Sequence, residues 1–571
     1  MSYNGKHQFT HTTSRRRASV VYGSMGKAGL FLPEDFVEPK KNTSIETGDN
    51  GANESTSLIE PAVSKGSTRR YSREILEDER QLLESNHIPY GGTDEGIVEN
   101  FEHAIIDKRI TSSKLAELKW LMKSSIPLVA TFLLEISFPT VSVFAVGHIG
   151  PTELAAVSIG AMTVNMTGYA TIQGLATALD TLCPQAFGAG KYKLVGSYFQ
   201  KCTALISVVM IPIIIAWIFF GTSIIMFLVP EEETARLSAV YLKFIAPGIP
   251  AYILFETGKR FLQAQGVYHI STYVLLVTAP LNAVMTLLFV KHIGYLGAPI
   301  AVSINFWIMA FGLLVCTIYF VKPESTPANI HPMECWNGLN IEDAFSSWGK
   351  LITLAIPGLV MLEAEFLAFE ILTLLAAYLG TLEVAAQSIG TNVASMMYQI
   401  PFAISIAAST RIANYLGAGL ADSARKATQA ALGFGICVAF MDFFILFIFR
   451  SQIAHLYTND ENVLKIVDKV MWLIASMQVC DTMNAVSAGC LRGQGQTKIG
   501  GIVNFLSYYV VGVPLALYLA FYSPIKGSLD GLWIGCWSAL TIIAVTQSYY
   551  SLAVNFEKLC DDAKHRNDET P

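Results

Sequence analysis

Beyond about residue 115 the chain alternates between apolar runs of about 20 or more residues and short polar breaks. An α-helix rising about 1.5 Å per residue crosses a hydrocarbon core about 30 Å thick in a run of that length, with its backbone groups satisfied internally. The pattern predicts spans at roughly 120–147, 153–183, 194–228, 235–263, 268–291 and 296–321. After the polar stretch KPESTPANIHPMECWNG it resumes at about 347–379, 383–414, 424–449, 463–489, 498–522 and 529–554, making twelve. The expected organisation is a tail (1–118), a first lobe (119–322), a linker (323–346), a second lobe (347–555) and a C-terminal tail (556–571). Residues 1 to about 110 are rich in Ser, Thr, Asn, Gly, Glu and Arg and predict disorder, because they hold too little apolar surface to offset the entropy of ordering.

Composition agrees with a lipid environment: 52% of the 571 residues are hydrophobic and 15% charged, against about 25% charged in soluble domains. A net charge of −6 supplies no basic field for nucleic acid, which is set aside as a partner. The nine cysteines (183, 202, 316, 335, 437, 480, 490, 536 and 560) form no CxxC or Cys/His spacing and read as small apolar residues. No metal site or cofactor is expected. The basic N-terminal stretch lacks an apolar core and a cleavage site, so no cleaved signal peptide is expected.

Lys191, Lys193, Lys259, Lys322, Lys350, Arg425, Lys426, Arg492 and Lys498 fall in or beside even-numbered connections, and Lys108, Arg109 and Lys114 precede the first span. The positive-inside rule then puts those connections, the linker and both tails in the cytoplasm, although Arg450, Lys465 and Lys469 run against it.

The sequence also repeats itself. TELAAVSIG (152–160) returns as LEVAAQSIG (382–390), and SIPLVATFLLEI (125–136) aligns with AIPGLVMLEAEF (355–366) at the same offset. AFGAG (186–190) against YLGAG (415–419), and FLQAQG (261–266) against CLRGQG (490–495), follow after a single deletion. Six spans per repeat is an even number, so the halves enter the membrane in the same direction. The fold class predicted is an all-α polytopic membrane protein: twelve transmembrane helices in two six-helix lobes related by a pseudo-twofold axis along the membrane normal.

At LEVAAQSIG, YQIPFAISIAASTRIANYLGAG (398–419), ALDTLCPQAFGAGKY (178–192) and CLRGQGQTKIGG (490–501) the chain resembles the multidrug and toxic compound extrusion (MATE) antiporters, especially fungal members. The resemblance covers about residues 120–555. It implies a V-shaped cavity between the lobes and exchange of an organic solute, often cationic, for protons or sodium.

Acids deep in apolar spans are expensive, by about 2.5–3.5 kcal/mol on insertion scales, and are functional candidates for that reason. Glu135 lies in span 1, Glu363, Glu365 and Glu370 in span 7, and Asp481 in span 10. Glu135 and Glu365 are repeat partners, each following an Ile-Pro step whose proline (Pro127, Pro357) favours a kink. At about 100° per residue, Glu363 and Glu370 lie about 20° apart while Glu365 lies about 140° from Glu370. A buried carboxylate for which a proton and a cationic solute compete is the elementary device of antiport.

In the resemblance, Glu365 and Glu370 match paired span 7 carboxylates of animal members, Asp481 a span 10 acid, and Tyr398 a cavity tyrosine. Asn392, five residues after Gln387, stands where those members have a further glutamate, which suits less highly charged solutes. Phe369 and Tyr398 are candidates to stack a flat cation or to serve in packing. Glu363 fits either a transport role or a contact with a neighbouring helix. Asp180 is assigned a structural role, as a cap or paired with a loop base, and Asp442 no role.

The leading reading is a monomeric, proton-coupled exporter of small organic solutes, with Glu365, Glu370 and Asp481 as the exchanging groups and sodium as the other candidate ion. A lipid-linked flippase would want a basic cavity, and an enzyme would want a constellation such as HExxH or a Ser/His dyad, which the spans lack. The tail carries RRRAS and RRYS, contexts for phosphorylation of Ser19 and Ser72. Its ESTSLI and DERQLL resemble dileucine signals for a sorting adaptor and favour the vacuolar over the plasma membrane.

Overall fold

The computed structural model describes residues 112–568 except positions 148, 229, 230, 324, 325, 327–329, 459 and 525, together with a few residues between 80 and 100. The tail motifs around Ser19, ESTSLI and Ser72 lie outside the described residues, as does most of DERQLL.

All twelve expected spans are helical. Span 1 comprises Lys114–Glu135 and Ser137–Val146, and span 2 runs through Pro151–Val164, Asn165–Tyr169, Ala170–Ala176 and Leu179–Gly188. Span 3 is Tyr192–Leu228, span 4 Glu232–Ile245 continued by Ile249–Ala264, span 5 His269–Ile293 and span 6 Gly297–Tyr319. Spans 7 to 10 are Gly349–Ala377, Thr381–Gly417, Ala421–Tyr457 and Glu461–Gln494. Span 11 is Thr497–Leu506, Ser507–Gly512 and Val513–Phe521, and span 12 is Leu529–Ala553. Among the described residues, eight helical stretches are long and apolar enough to cross a membrane, one of them, His269–Tyr319, containing spans 5 and 6. Spans 2, 7 and 10 complete the twelve; they hold Asp180, the three span 7 glutamates and Asp481. Large side chains such as Phe219, Val277, Phe311 and Phe440 are exposed on the helix surfaces, as lipid contact requires.

The sequence repeat extends to the backbone. Gly190 and Gly419 end spans 2 and 8 at φ 72° and 78°, and Gly266 and Gly495 end spans 4 and 10 at φ 76° and 72°. Only glycine adopts this left-handed conformation without cost, so each pair fixes the same turn twice. The repeats differ in how their helices bend. Span 2 widens into a π-helix at Asn165–Tyr169 where span 8 carries Pro401 nearby, and span 11 does so at Ser507–Gly512 where span 5 carries Pro280.

The lobes meet on the face where span 1 begins and span 12 ends, here the terminal face. There the end of span 2 lies against spans 8 and 10: Thr181 donates to the Arg492 carbonyl at 2.5 Å, Gln185 to Gly493 at 3.3 Å, and Ser409 to Asp180 at 3.3 Å. Glycines permit the approach, because a Cβ on Gly417 would stand 2.0 Å from the Gln185 carbonyl oxygen and one on Gly188 2.2 Å from that of Asn414. Side-chain contacts between the lobes also reach mid-span, at Thr171–Glu363 and Phe132–Phe402. The lobes therefore close at the terminal face.

Two segments outside the spans also fold onto this face. The linker docks on span 3: Asp343 takes a hydrogen bond from Ser197 at 2.5 Å and an ion pair from Lys201 at 3.0 Å, and Gln200 bonds to the backbone of Gly338 and Asn340. Burial works against the charge on Asp343, but Ser197 and Lys201 outweigh it and hold the carboxyl below its usual range. This anchor is therefore complete above the ordinary carboxylate pKa and is lost as pH falls through the lowered value. The C-terminal segment forms the helix Phe556–Asp568, whose Phe556, Leu559 and Ala563 are buried against an apolar cluster shared by spans 1, 8 and 9. Its last turn reaches both lobes: the Arg566 carbonyl accepts from Tyr198 at 3.2 Å and from Lys350 at 2.7 Å.

A Cβ on Gly196 would stand 2.3 Å from the backbone oxygen of Cys335 in the linker. Gly196→Ala is expected to displace the linker, at about 1–3 kcal/mol of overpacking. Limited proteolysis should then cut residues 323–346 faster while the helical circular dichroism is unchanged.

Candidate functional site

Span 7 enters the protein core at Pro357, where Gly358 lies so near span 2 that a Cβ would meet the Thr177 hydroxyl oxygen at 2.0 Å. Two turns further on, Glu365 turns into the second lobe and accepts a hydrogen bond from Asn484 Nδ2 of span 10 at 3.1 Å. One turn from Asn484, Asp481 is 3% exposed and takes a long 3.4 Å bond from Gln478. Glu365 and Asp481 lie within electrostatic range of each other and of Tyr398, which stacks on Phe402 with ring centres 5.8 Å apart. Among the described residues neither acid forms an ion pair with Lys or Arg; Arg492 is the nearby cation, in range of Glu365.

Several polar atoms around these acids are left over. Asp481 Oδ1, Asn484 Oδ1 and Gln478 Oε1 are buried without a hydrogen-bond partner, as is the Tyr508 hydroxyl, in range of both acids. Buried acceptors are normally satisfied. A concentration of unsatisfied oxygens beside two carboxylates favours occupants that bring positive charge or N–H and O–H groups: a proton, a small cation or an organic ammonium.

The remaining candidates separate. Glu363, on the opposite face of span 7, accepts from Thr171 of span 2 at 3.3 Å and so sits between the lobes. Glu370 lies further from the terminal face, half-buried, with no hydrogen bond or ion pair among the described residues, and the structure does not bring it against Glu365 or Asp481. Phe369 meets Trp533 edge-on at 6.3 Å. Gln387 is buried and reaches Thr391 at 3.4 Å, while Asn392 is exposed and bonds to the Ser388 carbonyl of its own helix. Pro127 holds span 1 to span 5, its carbonyl accepting from Thr131 at 3.0 Å and Thr272 at 2.8 Å.

Glu135 is engaged differently from its repeat partner. Lys259 Nζ lies 2.7 Å from Glu135 and 2.6 Å from Glu256. Next to it, Arg260 pairs with Asp180 at 2.5 Å and stands 3.8 Å from Glu256, and Arg492 approaches Asp180 at 3.6 Å from the other lobe. Asp180 therefore pairs with two buried bases inside helices rather than with a loop base. Lys259 and Arg492, counted from the sequence among the charges of the connections, are 2% and 3% exposed within spans 4 and 10. A second buried cluster ties span 1 to span 8: Arg411 Nε pairs with Glu117 at 2.8 Å, lies over Trp120 at 4.7 Å and donates to Tyr415 at 2.8 Å. Ser112 and Tyr415 both donate to Glu117. Sequence reasoning passed over Glu117, Glu256, Arg260 and Arg411; the available signal was opposite charges within apolar runs, which mark buried pairs.

The comparisons with known proteins bear on this geometry. The MatE family model matches twice, at residues 127–288 and 357–518, once in each lobe. YDR338C, an uncharacterized transporter of Saccharomyces cerevisiae, is 43% identical over 448 residues, covering 78% of this chain and 62% of its own length. Protein DETOXIFICATION 16 of Arabidopsis thaliana is 33% identical over 80% of this chain and 92% of its own, and human multidrug and toxin extrusion protein 1 is 30% identical over 77% and 75%. The crystal structure of the eukaryotic MATE transporter AtDTX14 superposes with a TM-score of 0.73 at 27% identity, covering 80% of this chain and all of that one. Twelve spans in two repeated lobes, together with these relatives, define a multi-pass membrane transporter rather than an enzyme. The chain belongs to the MatE family, whose mammalian and plant members carry the names of multidrug extrusion and detoxification proteins.

Removing Asp180 leaves Arg492 buried without a carboxylate and Arg260 with only Glu256, 3.8 Å away. Asp180→Ala is expected to lose about 3–5 kcal/mol of stability, read as an earlier unfolding transition of the purified protein in detergent.

Proposed function

We propose that the protein exports small organic solutes from the cytosol in exchange for protons, with Glu365 and Asp481 at the centre of exchange and Glu370 on the path from the side away from the terminal face. The observation that carries this reading is a pair of carboxylates, Asp481 buried and Glu365 half-buried, with no ion-paired base among the described residues and with unsatisfied polar atoms beside them. Two neighbouring carboxylates away from water resist being ionised together, so one readily takes a proton. A cationic or N–H-bearing solute stabilises the ionised form instead. Proton and solute then displace one another, and the closed terminal face keeps the two from crossing together. Asn392 in the wall, rather than a further acid, suits solutes of modest charge.

The even-numbered connections and both tails are read as cytoplasmic, and a cleft away from the terminal face is read as facing the extracytoplasmic side. The vacuolar membrane is favoured over the plasma membrane through the dileucine-like signals and a sorting adaptor, and the working unit is read as a monomer.

In vesicles holding the purified protein, uptake of a fluorescent organic cation is expected to follow an imposed proton gradient and to fall at least about 100-fold in Glu365→Gln, a loss of nearly 3 kcal/mol. Undiminished uptake by the variant, or uptake driven by a sodium gradient alone, would overturn this reading.

A further inference from the structure

The two repeats treat their matching acids in opposite ways. Glu135 and Glu365 are equivalent by the sequence offset, yet Glu135 holds an internal ammonium at 2.7 Å and Glu365 holds none. The alignment of FLQAQG with CLRGQG places Lys259 opposite Ala488, Glu256 opposite Ala485 and Phe255 opposite Asn484. Phe132 stands opposite Leu362, so the second lobe lacks the amine, the counterpart of Glu256 and both aromatic walls.

Around Lys259 Nζ these groups converge. Glu135 and Glu256 accept from it at 2.7 and 2.6 Å, and the rings of Phe132 and Phe255 have their centres 5.1 and 5.5 Å away. Carboxylates with aromatic faces are the usual means of recognising an ammonium ion. The lysine side chain is 3% exposed and that of Glu256 1%, whereas that of Glu135 is 15% exposed.

We propose that Glu135, Glu256, Phe132 and Phe255 form an alkylammonium-binding cage in the first lobe that the chain fills with its own Lys259. The tethered amine occupies the cage at an effective concentration no free solute reaches. It thereby withholds Glu135 from solutes and leaves exchange to the second lobe, a consequence that rests on the function proposed above. The cage itself does not.

Lys259→Ala removes the side chain beyond Cβ, and propylammonium supplies the same atoms. The full-length variant, purified in detergent, is expected to unfold at lower temperature than wild type. Propylammonium chloride should restore most of the loss along a saturable curve, and the wild type should not respond. Equal concentrations of sodium chloride or tetramethylammonium chloride, which offer no N–H donor, should have little effect. In Lys259→Ala/Glu135→Gln the apparent Kd for propylammonium should rise at least about tenfold. If Lys259→Ala does not fold unaided, propylammonium present from extraction onwards should recover folded protein. Absence of stabilisation or recovery by propylammonium, or equal stabilisation by sodium, overturns the proposal. Melting curves use no ion gradient, so their outcome is independent of any failure of the transport assay.

Discussion

An unpaired charge buried in a membrane protein is far more costly than a paired one, and this chain meets that constraint with an alternating series. Glu135, Lys259, Glu256, Arg260, Asp180 and Arg492 follow one another with opposite signs, and the last step crosses between lobes. The series does more than neutralise its members. Because Asp180 belongs to the first lobe and Arg492 to the second, separating the lobes at the terminal face exposes both partners or strands them. The Glu117–Arg411 pair, 0% exposed on both sides, sets the same condition between spans 1 and 8. Closure of this face is therefore a property of charge burial as much as of the glycine contacts.

The second lobe departs from this economy. Among the described residues Glu365 and Asp481 have neither a lysine nor an arginine bound to them, and Asp481 Oδ1 has no donor. Stability alone would not retain such an arrangement, since apolar residues would pack there at lower cost. A common scaffold thus carries an ion-paired set of charges in one copy and acids without a paired base in the other.

Much of the architecture was legible in the chain because a span is recognised by one variable, the length of an apolar run. Pro127 and Pro357, the paired glycine turns and the acids of spans 7 and 10 all stood out against that background. Glu117 and Lys259 did not. Each lies within a few turns of a helix end, where a long charged side chain ordinarily extends to water, and only the packing of a second helix over it makes it buried. Arg411 shows the same difficulty inside span 8. Pairings such as Asp180 with Arg260 join residues 80 positions apart, which no local pattern encodes. The helix Phe556–Asp568, whose sequence is mostly polar, read as a tail because its few apolar residues are covered by other spans.

The bends noted in spans 2, 5, 8 and 11 have a mechanical corollary. A π-turn and a proline both leave main-chain bonds of a helix unmade or misaligned, so each creates a joint about which half a helix swings without unravelling the rest. The repeats place joints at comparable depth but make them from different materials, an inserted residue at Asn165–Tyr169 and Ser507–Gly512, a ring at Pro401 and Pro280. A ring keeps its kink permanently, whereas a widened turn is able to relax by shifting one residue along the axis. Two lobes hinged in this way do not stiffen alike, and the softer segments, in spans 2 and 11, flank span 7 from opposite sides.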